Sequence, residues 1–370
     1  MILMYIESLV LNNFRNYEDQ EAEFSPGLNL ITGDNGQGKT NLMEAVYYLA
    51  AASSFHTHKD ADIIMFDRPR AIAEGVYARN GERLTLRGEI CREGARRLSV
   101  NGVRKKKISE FAGHVSAVVF TPGDLEMIKS GAAVRRAFMD GAISQLRPRY
   151  AGILAEYNRH LAQKTRILKD AGLNPSLLHT LDVFNHGMAV CGARLIRYRR
   201  SYSLGLERHA AEIYSRISGG RERMSVAYKT IDETGAQDSA EELFHRLLSV
   251  FNSGKQTEMT AAACLYGPHK DDLVVQIDGR QARAFASQGQ ARTAALALKL
   301  AERDMFHEDA GDYPILLLDD VLSELDGARR GYVLGRIEQG QVFITSCDAA
   351  APVIHAGRVF YVQSGRITEI

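Results

Sequence analysis

The sequence predicts an α/β fold that is interrupted by a helical insertion, and three observations support this prediction. Short apolar runs typical of strands occur near both ends of the 370-residue chain. Helical periodicity dominates between about Asp124 and Met259. A glycine-rich segment also lies between a predicted strand and a predicted helix. We therefore expect residues 1–121 and 265–370 to form one discontinuous α/β domain, and residues 122–264 to form a helical domain inserted into it.

The composition predicts a globular protein of the cytoplasm that does not cross a membrane. Hydrophobic residues make up 45% and charged residues 25% of the chain, as in ordinary globular proteins. The four cysteines lack the spacing of zinc sites and disulfide frameworks, which favours a reducing compartment. No apolar run reaches the roughly 18 to 20 residues that a membrane-spanning helix needs. The net charge is only +1, so any binding to a polyanion must depend on local patches.

Strand and helix signals alternate in the two outer parts of the chain. They predict two strands within residues 5–24, a buried strand at 28–32, hairpins between 71 and 100, and strands at 115–120, 313–319 and 341–345. Helices are predicted after residue 40, at 150–170 and 177–218, and from about 290 to 307. The short apolar strands near the C-terminus are of the kind that parallel sheets bury on both faces.

The most specific motif is the glycine-rich segment after the predicted strand at 28–32. It reads Gly-Asp-Asn-Gly-Gln-Gly-Lys-Thr and satisfies the P-loop pattern in full. Such glycines let backbone N–H groups surround phosphates at a helix N-terminus, while the lysine reaches the β- and γ-phosphates. We therefore expect an ATP site formed by Gly33, Asp34, Asn35, Gly36, Gln37, Gly38, Lys39 and Thr40.

A second motif supplies the carboxylates that this ATP site needs. Residues 315–320 read Ile-Leu-Leu-Leu-Asp-Asp, an apolar strand that ends in two acidic residues. Neighbouring parallel strands end at the same edge of a sheet, so we expect Asp319 beside the P-loop, where it binds Mg²⁺ together with Thr40. Asp320 then lies where a catalytic base or a water-orienting group is needed. ATP and Mg²⁺ are accordingly the predicted cofactors.

A third motif, Ser287-Gln-Gly-Gln290, opens the helix that follows it. It resembles the ABC signature, in which a serine at a helix N-terminus contacts the γ-phosphate of a nucleotide held by a second subunit. Residues 323–326, Ser-Glu-Leu-Asp, resemble the D-loop at the same subunit seam. Four motifs in this order predict an ABC-ATPase-like P-loop head that forms an ATP-dependent homodimer. The predicted catalytic residues are Asp320, Ser287 and Gln290.

Taken together, these segments resemble the RecF family of bacterial recombination and replication-repair proteins. The family-specific stretches are Gly-Pro-His-Lys-Asp-Asp-Leu at 267–273 and Asp-Asp-Val-Leu-Ser-Glu-Leu-Asp at 319–326. The resemblance also includes residues 11–17, 33–42, 120–125, 135–140 and 287–290. It implies that Arg15 and Asn41 join the nucleotide contacts. For His269 the residues themselves indicate either a ligand or, with the stronger prior, a structural hydrogen-bonding group.

The resemblance implies a switch that acts in DNA repair rather than a metabolic enzyme. A member of this family is expected to be a weak, DNA-stimulated ATPase whose ATP-bound homodimer clamps DNA near junctions of single and double strands. It is expected to help RecO and RecR to load RecA, and so to act in DNA replication and in the SOS response to DNA damage. Slow hydrolysis of ATP would then reset the clamp.

Three positions depart from the common patterns, and two of these departures bear on the predicted turnover. Asp320 is one methylene shorter than the glutamate usual in ABC ATPases, and residues 344–348 offer hydroxyls where those families carry a switch histidine. Both differences predict slow hydrolysis. His56 also stands where relatives usually carry an arginine, which leaves open whether that position makes a charged contact.

Two basic clusters are candidates for DNA contacts. Residues 194–223 contain eight arginines against three glutamates. At about 100° per residue, one helix face collects Arg194, Arg197, Arg200 and Arg208, while Arg199 falls outside it, and arginines without aromatic partners suit phosphate contacts. The other cluster, Val-Arg-Lys-Lys-Lys at 103–107, follows a hairpin turn. For both clusters a solvated surface without a ligand is the alternative.

Three other kinds of ATPase share the generic motifs. An ABC transporter subunit would have a compact helical subdomain in place of the long insertion, together with a catalytic glutamate and a switch histidine. An SMC-type structural head would need long heptad repeats between the two halves, which this sequence lacks. A nuclease of the ATPase-plus-Toprim class would need a further metal-binding domain, for which no length remains.

Overall fold

The computed structural model describes residues 4–57, 59–79, 81–171, 173–230, 238–347 and 357–370. Its strands are β1 Met4–Phe14, β2 Tyr17–Glu23, β3 Leu28–Thr32, β4 Arg70–Arg79, β5 Glu82–Cys91, β6 Arg97–Val100, β7 Val103–Lys105, β8 Ala117–Phe120, β9 Met224–Lys229, β10 Asp272–Ile277, β11 Arg280–Gln281, β12 Ile315–Leu318, β13 Val342–Ser346, β14 Arg358–Gln363 and β15 Arg366–Glu369. Its helices are α1 Lys39–Ala51, α2 Pro122–Leu125, α3 Ala132–Leu146, α4 Pro148–Asp170, α5 Leu181–Ser218, α6 Ala240–Ser253, α7 Lys255–Ala261, α8 Ala282–Phe285, α9 Gln288–Ala310 and α10 Gly327–Leu334.

A mostly parallel sheet, here called the central sheet, confirms the predicted α/β class. Its strand order is β15-β14-β3-β13-β12-β8, and β15 alone among these strands runs antiparallel to its neighbour. β13 lies between β3 and β12. The carboxyl ends of these three strands therefore meet at one edge, where the P-loop and the acidic pair begin.

A second, fully antiparallel sheet, here called the outer sheet, has the order β2-β1-β4-β5-β6-β7. It contains the hairpins predicted between residues 71 and 100. Helix α1 packs between the outer and central sheets, and its Leu42, Val46 and Leu49 are fully buried there. Burial of α1 between the two sheets fixes the direction in which its N-terminus points, towards the strand edge just described.

Apolar side chains alternate along the central strands because successive residues point to opposite faces. Ile315 and Leu317 of β12 pack in the core shared with the outer sheet and α1. Leu316 and Leu318 pack in the core shared with α3, α5 and α9. All four side chains are at most 2% exposed. The continuous apolar run in the sequence thus reflects burial on both faces of the strand.

Long helices fill most of the middle of the chain, as predicted. Helices α4 and α5 match the periodic segments at 150–170 and 177–218, with α5 beginning four residues later than expected. The strand β9 was not predicted. It pairs antiparallel with β10, which the predicted domain division assigns to the other domain. That division stays a prediction, and the boundary at residues 264 and 265 separates two strands of one sheet.

Buried ion pairs tie these helices to β10 through the family-specific stretch 267–273. Arg135 of α3 donates two hydrogen bonds to the carboxylate of Asp272, at 2.8 and 2.9 Å. Arg199 of α5 donates to both oxygens of Asp140, at 2.9 Å each, and to the carbonyl of Pro268 at 2.7 Å. Arg199, the residue that did not fit the basic helix face, is therefore a structural arginine that is 2% exposed.

His269 in the same stretch also has a structural environment. One ring nitrogen lies 2.8 Å from the hydroxyl of Tyr157 and the other 3.2 Å from the carbonyl of Cys264. Burial lowers the pKa of His269 to about 4, so the ring is neutral at pH 7. The described part of the chain contains no group of three or more His, Cys, Asp or Glu side chains that could hold a metal ion. These contacts favour the structural alternative. In the same described part, no helix is long and apolar enough to cross a bilayer.

Gln341, just before β13, joins the outer sheet to the central sheet. The register of β1 against β4 shifts between Ile6 and Ser8, which marks a bulge. At this bulge the side chain of Gln341 accepts a hydrogen bond from the Ile6 N–H at 2.8 Å. It donates to the carbonyls of Ile6 at 2.9 Å and Ser25 at 2.8 Å. Since Gln341 is fully buried, no solvent substitutes for these bonds.

Replacement of Gln341 by leucine should therefore destabilise the fold. We expect Gln341→Leu to lower the free energy of unfolding by about 2 to 4 kcal/mol, because each buried polar group left unpaired costs about 1 to 3 kcal/mol. Urea denaturation followed by circular dichroism measures the change. The matched control is Gln339→Leu, at an exposed position two residues earlier, which should change stability by less than about 0.5 kcal/mol. Equal stability of the two variants would contradict this role for Gln341.

Candidate nucleotide-binding site

The P-loop connects β3 to α1 in a conformation that requires glycine. Gly33 has φ 141° and Gly38 has φ 123°, values that residues with a Cβ rarely adopt. A Cβ on Gly33 would lie 2.3 Å from the carbonyl oxygen of Val362 in β14. No side chain caps the N-terminus of α1, so its first N–H groups are available for an anion. The strand-loop-helix context predicted from sequence is confirmed.

Lys39 lies over the loop that precedes it. Its side chain is buried, and its ammonium donates to the carbonyls of Gly33 at 2.7 Å and Asp34 at 3.1 Å. The Sγ of Cys347 lies 3.4 Å from the same nitrogen. The positive charge is thus held at the mouth of the loop, where the phosphates of a nucleotide would replace the weaker carbonyl contacts.

Polar side chains on three sides hold the loop in place. Tyr17 donates to the carbonyl of Gly38 at 2.8 Å, and Asn16 donates to the carbonyl of Gln37 at 2.8 Å. Asn41 donates to the side chain of Asn16 at 2.8 Å. Two predicted nucleotide contacts, Gln37 and Asn41, therefore also support the loop, and their contact with nucleotide stays a prediction.

Asp319 and Thr40 lie together as the sequence predicts for a magnesium site. The hydroxyl of Thr40 donates to the Asp319 carboxylate at 2.8 Å. Asp319 is 6% exposed, and this burial raises the pKa of its carboxyl group. A hydroxyl and a carboxylate are hard oxygen ligands that suit Mg²⁺, whose other ligands would be phosphate oxygens and water. Because its pKa is raised, a proton competes with the cation for Asp319 at a higher pH than for an ordinary aspartate.

Thr345 of β13 contacts both Asp319 and Asp320. The sequence did not single out Thr345. Its hydroxyl donates to Asp319 at 2.9 Å and accepts a hydrogen bond from the N–H of Asp320 at 2.7 Å. Asp320 has φ 51°, a left-handed conformation that is uncommon for a residue with a Cβ. Thr345 therefore helps to hold the strained turn at which the second carboxylate leaves the strand. The hydroxyls noted at 344–348 were the available signal; Asp348 lies outside the described residues.

The signature motif forms a regular helix cap at the start of α9. Ser287 accepts a hydrogen bond from the N–H of Gln290 at 3.2 Å, and the Gln290 side chain accepts one from the N–H of Ser287 at 2.8 Å. Gln290 also donates to Glu222 at 2.8 Å, while Arg329 donates to the carbonyl of Gly289 at 2.9 Å. These contacts fix Ser287 at the N-terminus of a 23-residue helix.

The cavity beside Ser287 is separate from the P-loop. It has a volume of about 430 Å³ and is lined by residues of 217–222, 287–293 and 326–329. Among the described residues, none of 33–41, 319 or 320 lines it. Its lining includes two cations, Arg221 and Arg329, and two carboxylates, Glu222 and Asp326, of which Asp326 is paired with Arg329. The predicted catalytic residues thus divide between two places in one chain, with Asp320 at the P-loop and Ser287 and Gln290 at this cavity.

Arg15, which the resemblance assigns to nucleotide binding, has hydrogen-bond partners within the chain. It donates two hydrogen bonds to Glu44, both at 2.7 Å, and one to the carbonyl of Asp62 at 2.6 Å. The hydrogen bond with Glu44 raises the pKa of Arg15. Glu44 lies on α1, so Arg15 stabilises the helix that follows the P-loop. A direct contact with nucleotide stays a prediction.

The arginines predicted to contact DNA differ in their freedom. Arg194 and Arg197 are exposed and form no salt bridge within the described residues. Arg208 is paired with Glu308. Arg200 has a side chain that is 13% exposed and lies 3.9 Å from Asp238. All four lie on α5 as expected, and their contact with DNA stays a prediction.

The hydroxyl of Thr345 should matter for catalysis more than for folding. We expect Thr345→Val to weaken Mg²⁺-dependent ATP binding and to slow hydrolysis by about 5- to 10-fold each, because each lost hydrogen bond is worth about 1 kcal/mol. Titration of ATP at several Mg²⁺ concentrations and a steady-state ATPase assay measure the two effects. Thr345→Ser keeps the hydroxyl and should restore both. If the valine and serine variants behave alike, Thr345 does not position the carboxylates.

Comparison with known proteins places this geometry in one family. A family model described as the RecF/RecN/SMC N terminal domain matches residues 5–364. The DNA replication and repair protein RecF of Listeria monocytogenes serotype 4b (strain CLIP80459) is 40% identical over 373 residues, which cover 98% of this chain and 99% of the relative.

Solved structures agree with this relationship over the full length. A structure of the recombination mediator protein RecF-ATPrS in the RecFOR pathway is 31% identical, covers 100% of this chain and 99% of its own, and superposes with a TM-score of 0.93. A second, of RecF-ATP in the same pathway, has the same identity and coverage and a TM-score of 0.91. The chain therefore belongs to the RecF family of DNA replication and repair proteins, a family of SMC-like ATPases.

Proposed function

We propose that this protein is an ATP-operated DNA switch, in which two copies close on each other when each P-loop holds ATP and Mg²⁺. One chain supplies Lys39, Thr40 and Asp319 to each nucleotide, and the other supplies Ser287 and Gln290. Hydrolysis, with Asp320 orienting the attacking water, opens the dimer again. Binding energy from ATP is thus used for association, and the chemical step acts as a timer.

The separation of the two half-sites carries this proposal. Ser287 and the cations near it line a cavity that contains no P-loop residue among those described. A helix N-terminus with an exposed serine attracts phosphate, and no phosphate-binding loop of the same chain lies there. A second copy, rotated by a two-fold axis, would bring its own P-loop to this cavity and receive the reciprocal contact.

The role in DNA repair rests on the relatives. They are named DNA replication and repair proteins, and the matching structures are described as recombination mediators in the RecFOR pathway. For this chain we infer binding to double-stranded DNA and to junctions with single strands, and action with RecO and RecR in the loading of RecA. The transporter and SMC-type alternatives gain no support from these full-length relatives.

Slow turnover follows from the composition of the site. The backbone N–H of Asp320 donates a hydrogen bond to the hydroxyl of Thr345, and the carboxylate of Asp320 lies 3.7 Å from the Sγ of Cys347. Residues 344–348 contain no histidine, and a short carboxylate reaches the γ-phosphate less far than glutamate. Both features suit a switch that stays closed for many seconds.

ATP should convert the monomer into a dimer, and two variants should block this at different steps. Lys39→Met removes the cation at the P-loop and should abolish ATP binding. Ser287→Arg leaves the P-loop intact and should bind ATP normally, but its bulk and charge at the cavity should prevent association. Light scattering with and without ATP gives the mass, and a fluorescent ATP analogue gives the binding.

The two variants also define what would contradict the proposal. If Ser287→Arg dimerises with ATP as the wild type does, the signature serine is not part of the interface. Ser249→Arg provides a matched control, since Ser249 is exposed on α6, outside both the cavity lining and the P-loop. This control should leave the ATP-dependent mass change intact.

A further inference from the structure

We propose that residues 97–107, here called the basic hairpin, hold the phosphate backbone of duplex DNA. The basic hairpin consists of β6, β7 and the two lysines that follow them. The inference rests on the proposed DNA-binding function and adds the surface on which the DNA lies. Neither the family motifs nor the nucleotide site involve these residues.

A run of four unpaired cations distinguishes the basic hairpin from the face of α5, where Arg194 and Arg197 are the two without a salt bridge among the described residues. Arg104, Lys105, Lys106 and Lys107 follow one another, and none of their side chains forms a hydrogen bond or salt bridge with a described residue. Lys105 is half-buried and the other three are exposed. The nearby carboxylate of Glu110 accepts a hydrogen bond from the backbone N–H of Lys106 at 3.2 Å. One carboxylate beside four cations leaves a clear surplus of positive charge.

The face of α5 has fewer free cations than its sequence suggests. Arg208 is paired with Glu308, and Arg200 lies against Asp238. A cation that already has a carboxylate partner gains less from a phosphate, because the existing pair must first be broken. Counterion release, the main source of non-specific affinity for DNA, therefore favours the basic hairpin.

The turn of the basic hairpin is rigid, which suits a surface that must present several charges at once. Asn101 and Gly102 form its tip with φ 48° and 76°, as a tight turn with two left-handed residues requires. Asn101 is fixed to β5, because its side chain accepts a hydrogen bond from the N–H of Thr85 at 2.8 Å and its own N–H donates to the Thr85 carbonyl at 2.8 Å. Less flexibility is lost on binding when the charges are already in place.

Further arginines lie on the strands of the outer sheet beside the unpaired run. Ser99 of β6 pairs in register with Arg87 of β5 on one side and with Arg104 of β7 on the other. Arg87 is bound to Glu74 and Arg97 lies 3.4 Å from Glu89, so these two arginines contribute less than the free lysines. The unpaired run at the edge is the centre of the proposed surface.

The side chains of the basic hairpin favour duplex over single-stranded DNA. Proteins that hold single strands stack bases on exposed aromatic rings. The basic hairpin has none: its exposed apolar residue is Val103, and the next aromatic residue, Phe111, is fully buried. Backbone phosphates of a duplex need only the cations.

An alternative explanation of the same charges is structural, and an experiment can separate it from DNA binding. β7 is the last strand of the outer sheet, and lysines on an edge strand prevent pairing with other chains. If that is their whole purpose, their removal causes aggregation and leaves DNA affinity unchanged. If they hold DNA, affinity and its dependence on salt fall together.

The test is the salt dependence of binding to a labelled duplex, in the presence of ATP and Mg²⁺. The variant replaces the four free cations with glutamine: Arg104→Gln, Lys105→Gln, Lys106→Gln and Lys107→Gln. We expect duplex affinity near 0.1 M salt to fall at least about 10-fold, and the slope of log affinity against log salt to flatten by about 3 to 4, since each phosphate contact contributes about 0.9. The matched control Arg159→Gln with Lys169→Gln, at two exposed cations of α4, should stay near the wild-type slope.

Every outcome decides between the possibilities. If wild type fails to bind duplex with ATP, the proposed function fails. If wild type binds and the fourfold variant keeps its slope, the basic hairpin proposal is overturned. A flattened slope in a separate variant, Arg194→Gln with Arg197→Gln, would then assign the DNA to α5. Lys106 and Lys107 lie beyond β7, so the variant Lys106→Gln with Lys107→Gln preserves the charges of the edge strand. It should flatten the salt slope by about half as much as the fourfold variant, without aggregation. ATP-dependent dimerisation, measured in parallel, shows that each variant is folded.

Discussion

The carboxylate of Asp319 is the point at which the nucleotide site is assembled. It receives the hydroxyl of Thr40 from the P-loop helix and that of Thr345 from the neighbouring strand. This meeting requires β3, β13 and β12 to lie side by side and parallel, because only then do their carboxyl ends share an edge. The cores above and below the central sheet, and the bond from Gln341 to the bulge in β1, all serve to hold this register.

In the proposed switch, one chain binds the nucleotide and catalysis needs a second chain. The P-loop and the acidic pair provide the charges that a magnesium–ATP complex needs, whereas Ser287 lies at a separate cavity at the start of α9. The proposed association with a second copy would bring the two half-sites together around the nucleotide. On the same reasoning, a DNA surface on the outer sheet would be duplicated in the dimer, and its two copies would act together on one duplex.

The parts of the structure that sequence predicted best are those set by local pattern. The strand at 28–32, the P-loop and the helix after it follow from glycine positions and periodicity, and β12 follows from an apolar run that ends in two aspartates. Long-range pairing was beyond the sequence. β9 pairs with β10, Arg208 pairs with Glu308 one hundred residues away, and Arg199 is buried against Asp140. The periodicity of a helix or strand shows which side a residue faces and not which residue lies opposite it. The contacts of Thr345 with Asp319 and Asp320 were missed for the same reason.

Mixing two inactive variants tests the shared site most directly. Lys39→Met keeps the signature serine and lacks a working P-loop, and Ser287→Arg keeps the P-loop and lacks the serine. In a mixed dimer one site combines the intact half of each chain. At the other site the substituted side chain at position 287 faces a P-loop that holds no ATP, which leaves room for it. ATP should therefore restore association when the two variants are combined, although neither dimerises alone. Light scattering of the separate and mixed proteins measures this. A mixture that stays monomeric, or a Ser287→Arg protein that dimerises alone, would contradict a nucleotide held between two copies of this chain.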